Sequence, residues 1–241
     1  MKSQERHHLK QNEFAAGVAR VTDTLRENRS RLGVTVLAAV IVIAGVAGYF
    51  YWRQQVRNAA GGMFAIAMAV AESPIAPAPT VPGATQAPGT YPTVQARQEA
   101  AVEAFQQVAN AYPSTPEGLA ALYHGAGELF SLGRLAEAQQ AYETVIGRAG
   151  ADSIYRAAAR LGLAESLAAQ RQYDQAIQEY SDLAAQRDGA LPVDGILYEL
   201  ARTYLDAGQP DDARAAFKRI VDEFPNSMYV AEARQQMAML G

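Results

Sequence analysis

Apolar residues follow two rhythms along this chain. Between positions 32 and 52 they are unbroken: LGVTVLAAVIVIAGVAGYFYW carries no charge and a single aliphatic hydroxyl, Thr35. Beyond position 94 they recur three and four residues apart, the spacing of one face of a helix. The first rhythm predicts one long helix. At about 1.5 Å per residue it reaches roughly 30 Å, the hydrocarbon thickness of a bilayer. Arg31 and Arg53 close its ends, and Tyr49, Phe50, Tyr51 and Trp52 crowd the second end, where amphipathic rings favour the membrane interface. A buried core helix rarely runs so long without a polar position. A cleaved signal peptide has a far shorter basic region, and a small-x-small cleavage site soon after its apolar run. Residues 32–52 therefore read as a retained transmembrane signal anchor.

The flanks divide into further segments. Residues 1–31 form a basic tail in which Phe14, Val18, Val21 and Leu25 fall on one helical face. A helix docked on the membrane surface is one reading, and a plain topogenic tail the preferred one. Residues 53–72 contain no proline, so the anchor helix is expected to continue through them, loosened at Gly61-Gly62. Its second apolar patch, 59–71, is too short to cross a bilayer again. Residues 73–93 hold prolines 74, 77, 79, 82, 88 and 92 and no charge. Such a stretch neither forms a helix nor buries a core, and is expected as an extended or disordered spacer. Whether it is a loop or a stalk stays open at this level.

From position 94 the chain repeats itself. Ala138, Ala176 and Ala213 lie 38 and 37 residues apart, a period typical of helical solenoids. Around them align Leu122, Ala126, Leu129, Gly133, Tyr142 and Val145; then Leu163, Ala164, Leu167, Tyr180 and Leu183; then Leu197, Ala201, Tyr204, Gly208, Phe217 and Ile220. Small Ala126, Ala164 and Ala201 would let the first helix of a pair approach the second. Tyr142, Tyr180 and Phe217 would fill the gap toward the next pair. Gly133 and Gly208 suit the turns inside each pair, and Asp211 and Asp212 suit a helix N-terminus. Phe105 to Pro113 parallels Phe217 to Pro225, so a split fourth unit precedes the three, with residues 53–72 as the only candidate for its missing first helix. Residues 227–240 would cap the far end. The expected fold is all-α: one N-terminal transmembrane helix, then a helical-hairpin solenoid of about three and a half repeats over residues 94–241.

Charge sets the topology and narrows the chemistry. The first 31 residues carry net +3, and the remainder net −7. Short basic flanks stay in the cytoplasm, which places the long acidic part outside. An acidic domain argues against nucleic acid as a partner. Cysteine is absent, and the outer part has one histidine, His124. Thiol nucleophiles, His-based triads and His or Cys metal clusters are thereby disfavoured, so no enzyme activity, metal or cofactor is expected. His124 reads as structural. Asp211-Asp212 and Asp222-Glu223 are sequence neighbours that do not face one another on a helix. Ala44 and Gly48 form a small-x-x-x-small pair of the kind that dimerises membrane helices, common enough that a homodimer stays open.

The repeats resemble the tetratricopeptide repeat, and repeat three fits its pattern throughout with Ala201, Tyr204, Ala213, Phe217 and Pro225. Repeats one and two have Gly150 and Asp188 where that proline stands, and the period exceeds the usual ~34 residues. The resemblance implies a concave groove lined by first helices. Its positions fall on Tyr123, Gly127 and Phe130; on Leu161, Glu165 and Ala168; and on Tyr198, Arg202 and Leu205. Such a groove suits an extended apolar segment or a helix of a protein partner. Packing under the loop or the terminal helix is the competing account of the same side chains. In organisation the chain is similar to the YfgM-like family of ancillary SecYEG translocon subunits. That resemblance implies a scaffold or chaperone-like subunit on the periplasmic side of a bacterial inner membrane. Its partners would be translocon subunits, emerging client polypeptides, or other envelope components.

Overall fold

A computed structural model describes residues 29–78, 85–186 and 189–241, with side chains from residue 33 onward. The amphipathic stretch of Phe14, Val18, Val21 and Leu25, and Asp188, lie outside the described residues. The fold is all-α. Nine helices are described: α1 (Arg29–Ala71), α2 (Val94–Ala111), α3 (Pro116–Ser131), α4 (Leu135–Arg148), α5 (Ile154–Ala169), α6 (Tyr173–Ala184), α7 (Val193–Asp206), α8 (Pro210–Glu223) and α9 (Val230–Met239). The chain divides into two units, Met1–Val56 and Arg57–Gly241.

In the first unit, α1 is apolar on every side. Val36, Leu37, Ile41, Ile43 and Phe50 are all at least 60% exposed. A helix apolar all round needs an apolar surrounding, and Gly33–Ala71 is long and apolar enough to cross a membrane. Gly61 and Gly62 do not interrupt it.

The second unit is a stack of helix pairs. From Arg57 the end of α1 takes the place of the first helix that α2 lacks. Its Met63, Phe64, Ala67 and Met68 pack on Ala101, Phe105 and Val108 of α2 and on Ala121 of α3. The Phe64 and Phe105 rings lie 6.1 Å apart. The proline-rich segment between these helices closes on itself. Ile75 and Tyr91 form an isolated bridge. The Ala76 N–H donates to the Tyr91 carbonyl at 2.9 Å, and the Tyr91 N–H to that of Pro74 at 3.1 Å. Gln86 Nε2 donates to the Ala76 carbonyl at 2.8 Å. The segment is thus a loop with paired ends, not a stalk, and a disordered spacer does not describe its two feet. Backbone groups freed by the prolines find one another there.

The pairs α3–α4, α5–α6 and α7–α8 follow, with α9 at the end. Ala126, Ala138, Ala164, Ala176, Ala201 and Ala213 are completely buried, because no larger side chain lets paired helices approach so closely. The turn inside each pair is the same motif three times. Gly133, Arg171 and Gly208 have φ of 72°, 62° and 74°. Each N–H binds the carbonyl three residues back, and the next N–H the carbonyl five residues back, at 2.8 to 3.0 Å. These are Schellman ends. Arg171 adopts, at a cost of about 1 kcal/mol, the backbone that glycine takes freely. The turns inside pairs are therefore uniform, and the loops between pairs vary: 112–115, 149–153, 185–192 and 224–229. Those between-pair loops carry the uneven repeat period. The parallel between Phe105 to Pro113 and Phe217 to Pro225 extends to the backbone: Tyr112 has φ −131°, ψ 53° and Phe224 φ −130°, ψ 60°.

Candidate functional site

The predicted groove residues stand on the first helices α3, α5 and α7. Tyr123 on α3 sets its ring 5.7 Å from that of Tyr155 at the start of α5, and 6.1 Å from Tyr142 of α4. Burial pushes the Tyr123 hydroxyl up, with Glu165 and Tyr155 adding to the effect. Further along the stack a second aromatic pair stands on the first helices. Tyr198 on α7 stacks on Tyr229, which precedes α9, with centroids 4.6 Å apart. Between them, Leu161 is partly buried against the main core and Val193 is buried in it.

Glu165 is half-buried on α5. Its charge acts on Tyr123, Tyr142 and Tyr180 together. Burial first, and the charge of Glu199 second, push its carboxyl above the usual range. Tyr142 and Tyr180 come from second helices and are buried in the core. An added Cβ on Gly162 would fall 2.4 Å from the Tyr142 ring, and one on Gly127 would fall 3.8 Å from the Tyr142 hydroxyl. Burial raises both hydroxyl pKa values strongly. Arg202 is exposed on α7, 5.9 Å from the Tyr198 ring centre and 3.5 Å from Glu199.

The predicted groove residues thus separate. Tyr123 and Glu165 share one neighbourhood, and Tyr198 and Arg202 a second. Phe130, Leu161, Leu205 and Ala168 are partly buried hydrophobics against the core. Tyr198 is occupied within the chain, since its hydroxyl donates to Glu232 of α9 at 2.5 Å, which raises its pKa to about 12. Tyr142 and Tyr180, read as gap-fillers between helix pairs, are buried in the core; Glu199 escaped sequence reasoning, and the signal for the contact of Tyr142 with the first helices was the glycine at 127 and at 162.

A second concavity of about 310 Å³ lies between α2, α3 and α4, floored by Phe105, Ala121 and Leu129. It contains none of the predicted groove residues. Among the described residues no group of three His, Cys, Asp or Glu could hold a metal ion. His124 is packed between Phe105, 5.6 Å away and nearly parallel, and Phe64 at 5.7 Å. Burial lowers its pKa.

The sequence model of the tetratricopeptide repeat-like domain matches residues 25–227, most of the chain. The chain belongs to the tetratricopeptide repeat-like domain family. Two solved structures described as Podosopora anserina putative kinesin light chain with nearly identical TPR-like repeats, one of them a point-substituted form, share its fold. At 20% identity they align with TM-scores of 0.52 and 0.53, covering 60% of this chain and 77% of theirs. No curated protein matches. A tetratricopeptide-like repeat domain is a protein-interaction scaffold.

Proposed function

We propose that this tetratricopeptide repeat-like protein is a membrane-anchored, chaperone-like scaffold beside the Sec translocon. Residues 32–52 anchor it in a bacterial inner membrane, with the basic tail in the cytoplasm and the repeats in the periplasm. The family match carries the reading. It begins at residue 25, ahead of the apolar run, and continues to residue 227. One family match spanning both the apolar run and the repeats supports reading them together, as in the organisation of YfgM-like translocon subunits. The charge difference of +3 against −7 supports the orientation, and the exposed apolar surface of α1 before Arg57 supports insertion. The groove, with its tyrosines and aliphatic side chains, suits unfolded polypeptide. Crosslinking in native membranes followed by purification of the full chain tests the proposal. Recovery of translocon subunits is the expected result. Recovery of a different envelope assembly, without them, would make the chain an adaptor for cell-wall synthesis, outer-membrane assembly or secretion instead.

A further inference from the structure

Glu165 has no hydrogen-bond or ion-pair partner among the described residues. The acid whose charge acts on it does: Glu199 faces Arg202 at 3.5 Å. A half-buried carboxylate without a counter-ion costs stability. The fold does not require one at this place, because the corresponding positions of repeats one and three are Gly127 and Arg202. Glu165 follows Gly162 by one helical turn, the Tyr142 ring packs against Gly162, and the Tyr123 ring lies 6.1 Å from that of Tyr142; the charge of Glu165 acts on both hydroxyls. Beside them Gly127 leaves open the space over the Tyr142 hydroxyl. Aromatic walls around a lone negative charge are complementary to a cation with an apolar stem.

We propose that Glu165 receives an arginine or lysine side chain from an extended segment of a partner polypeptide, with Tyr123 and Tyr142 flanking it. This rests on the scaffold reading above and names the chemistry of its partner. The guanidinium of arginine fits best, since it pairs with a carboxylate and stacks on aromatic rings at once. Residues before and after the cation lie along the inner face of α3 and α5. The bound cation removes the cost of the buried charge, so the site contributes to binding what it withholds from folding.

The test uses the full chain in lipid nanodiscs and two fluorescein-labelled twelve-residue peptides of Ala, Val, Leu and Ser. One has a central arginine; its twin has the neutral isostere citrulline there. The arginine peptide should bind about tenfold more tightly or better, a difference that shrinks as salt rises. E165Q should bring both peptides to the affinity of the citrulline twin while keeping the helical circular dichroism. It removes a charge and no hydrogen bond among the described residues. G127L, which fills the niche beside Tyr142 and leaves Glu165 in place, should weaken the arginine peptide at least fivefold. Equal binding of the twins, no binding of either, or a preference that survives E165Q overturns the site. The translocon reading fails separately: a chain that recovers no translocon subunits yet keeps the tenfold preference loses that reading and keeps this site.

Discussion

At the scale of the residue, single atoms decide how closely the repeats stack. Gly162 is where a side chain from a neighbouring helix presses hardest on an inner helix. Its missing Cβ is replaced by the Tyr142 ring, which a side chain would meet at 2.4 Å. Gly162→Ala should therefore displace Tyr142 and cost about 2–4 kcal/mol in chemical denaturation. Gly127→Ala, whose Cβ would meet the same tyrosine at an ordinary 3.8 Å, should stay within about 1 kcal/mol of the wild type. His124 gives a pH signature. Its pKa is lowered by burial among Phe64, Phe105 and Tyr123, so the unfolded chain binds a proton first as pH falls. The stability it contributes is complete above about pH 6.5 and is lost as pH drops through that value toward the lower folded pKa. Unfolding free energies measured from pH 8 to 5 should decline across that window, and His124→Phe should flatten the decline.

At the scale of the element, the alanine register was legible because helices that approach closely leave room for nothing larger. The six aligned alanines are all buried completely. The turn at Arg171 was not legible, because an arginine gives no sign of left-handed backbone; only its spacing from Gly133 and Gly208 does. Nor was the full content of the groove. Periodicity tells which face a residue is on, but Tyr142 packs from a neighbouring helix against Gly162 and beside Gly127 of the first helices. The same limit applies to Tyr198, which the terminal helix occupies through Tyr229 and Glu232. Composition marks the proline segment as a spacer or loop but cannot show that its feet pair through Ile75 and Tyr91. That pairing and the Phe64–Phe105 contact predict the behaviour of a nicked chain. With a protease site placed between residues 79 and 84 and cut on membranes, the C-terminal fragment should remain bound. Phe64→Ala, which removes about 2–3 kcal/mol of that packing, should release a large part of it. Free release from the nicked wild type would contradict the role given to the end of α1.

At the scale of the whole molecule, an apolar helix and a protein-binding stack occupy one chain of a single family, and the proposal joins them into an anchored receptor for polypeptide. The claim turns on whether the inner face is what meets protein at the membrane. Site-specific photocrosslinking in native membranes addresses it most directly. The probe stands in place of Arg202, exposed on the inner helix α7, or of Lys218, exposed on the second helix α8. The account predicts adducts with translocon subunits or exported polypeptides from position 202, and little from position 218. Adducts from 218 alone, or from neither position, would contradict it.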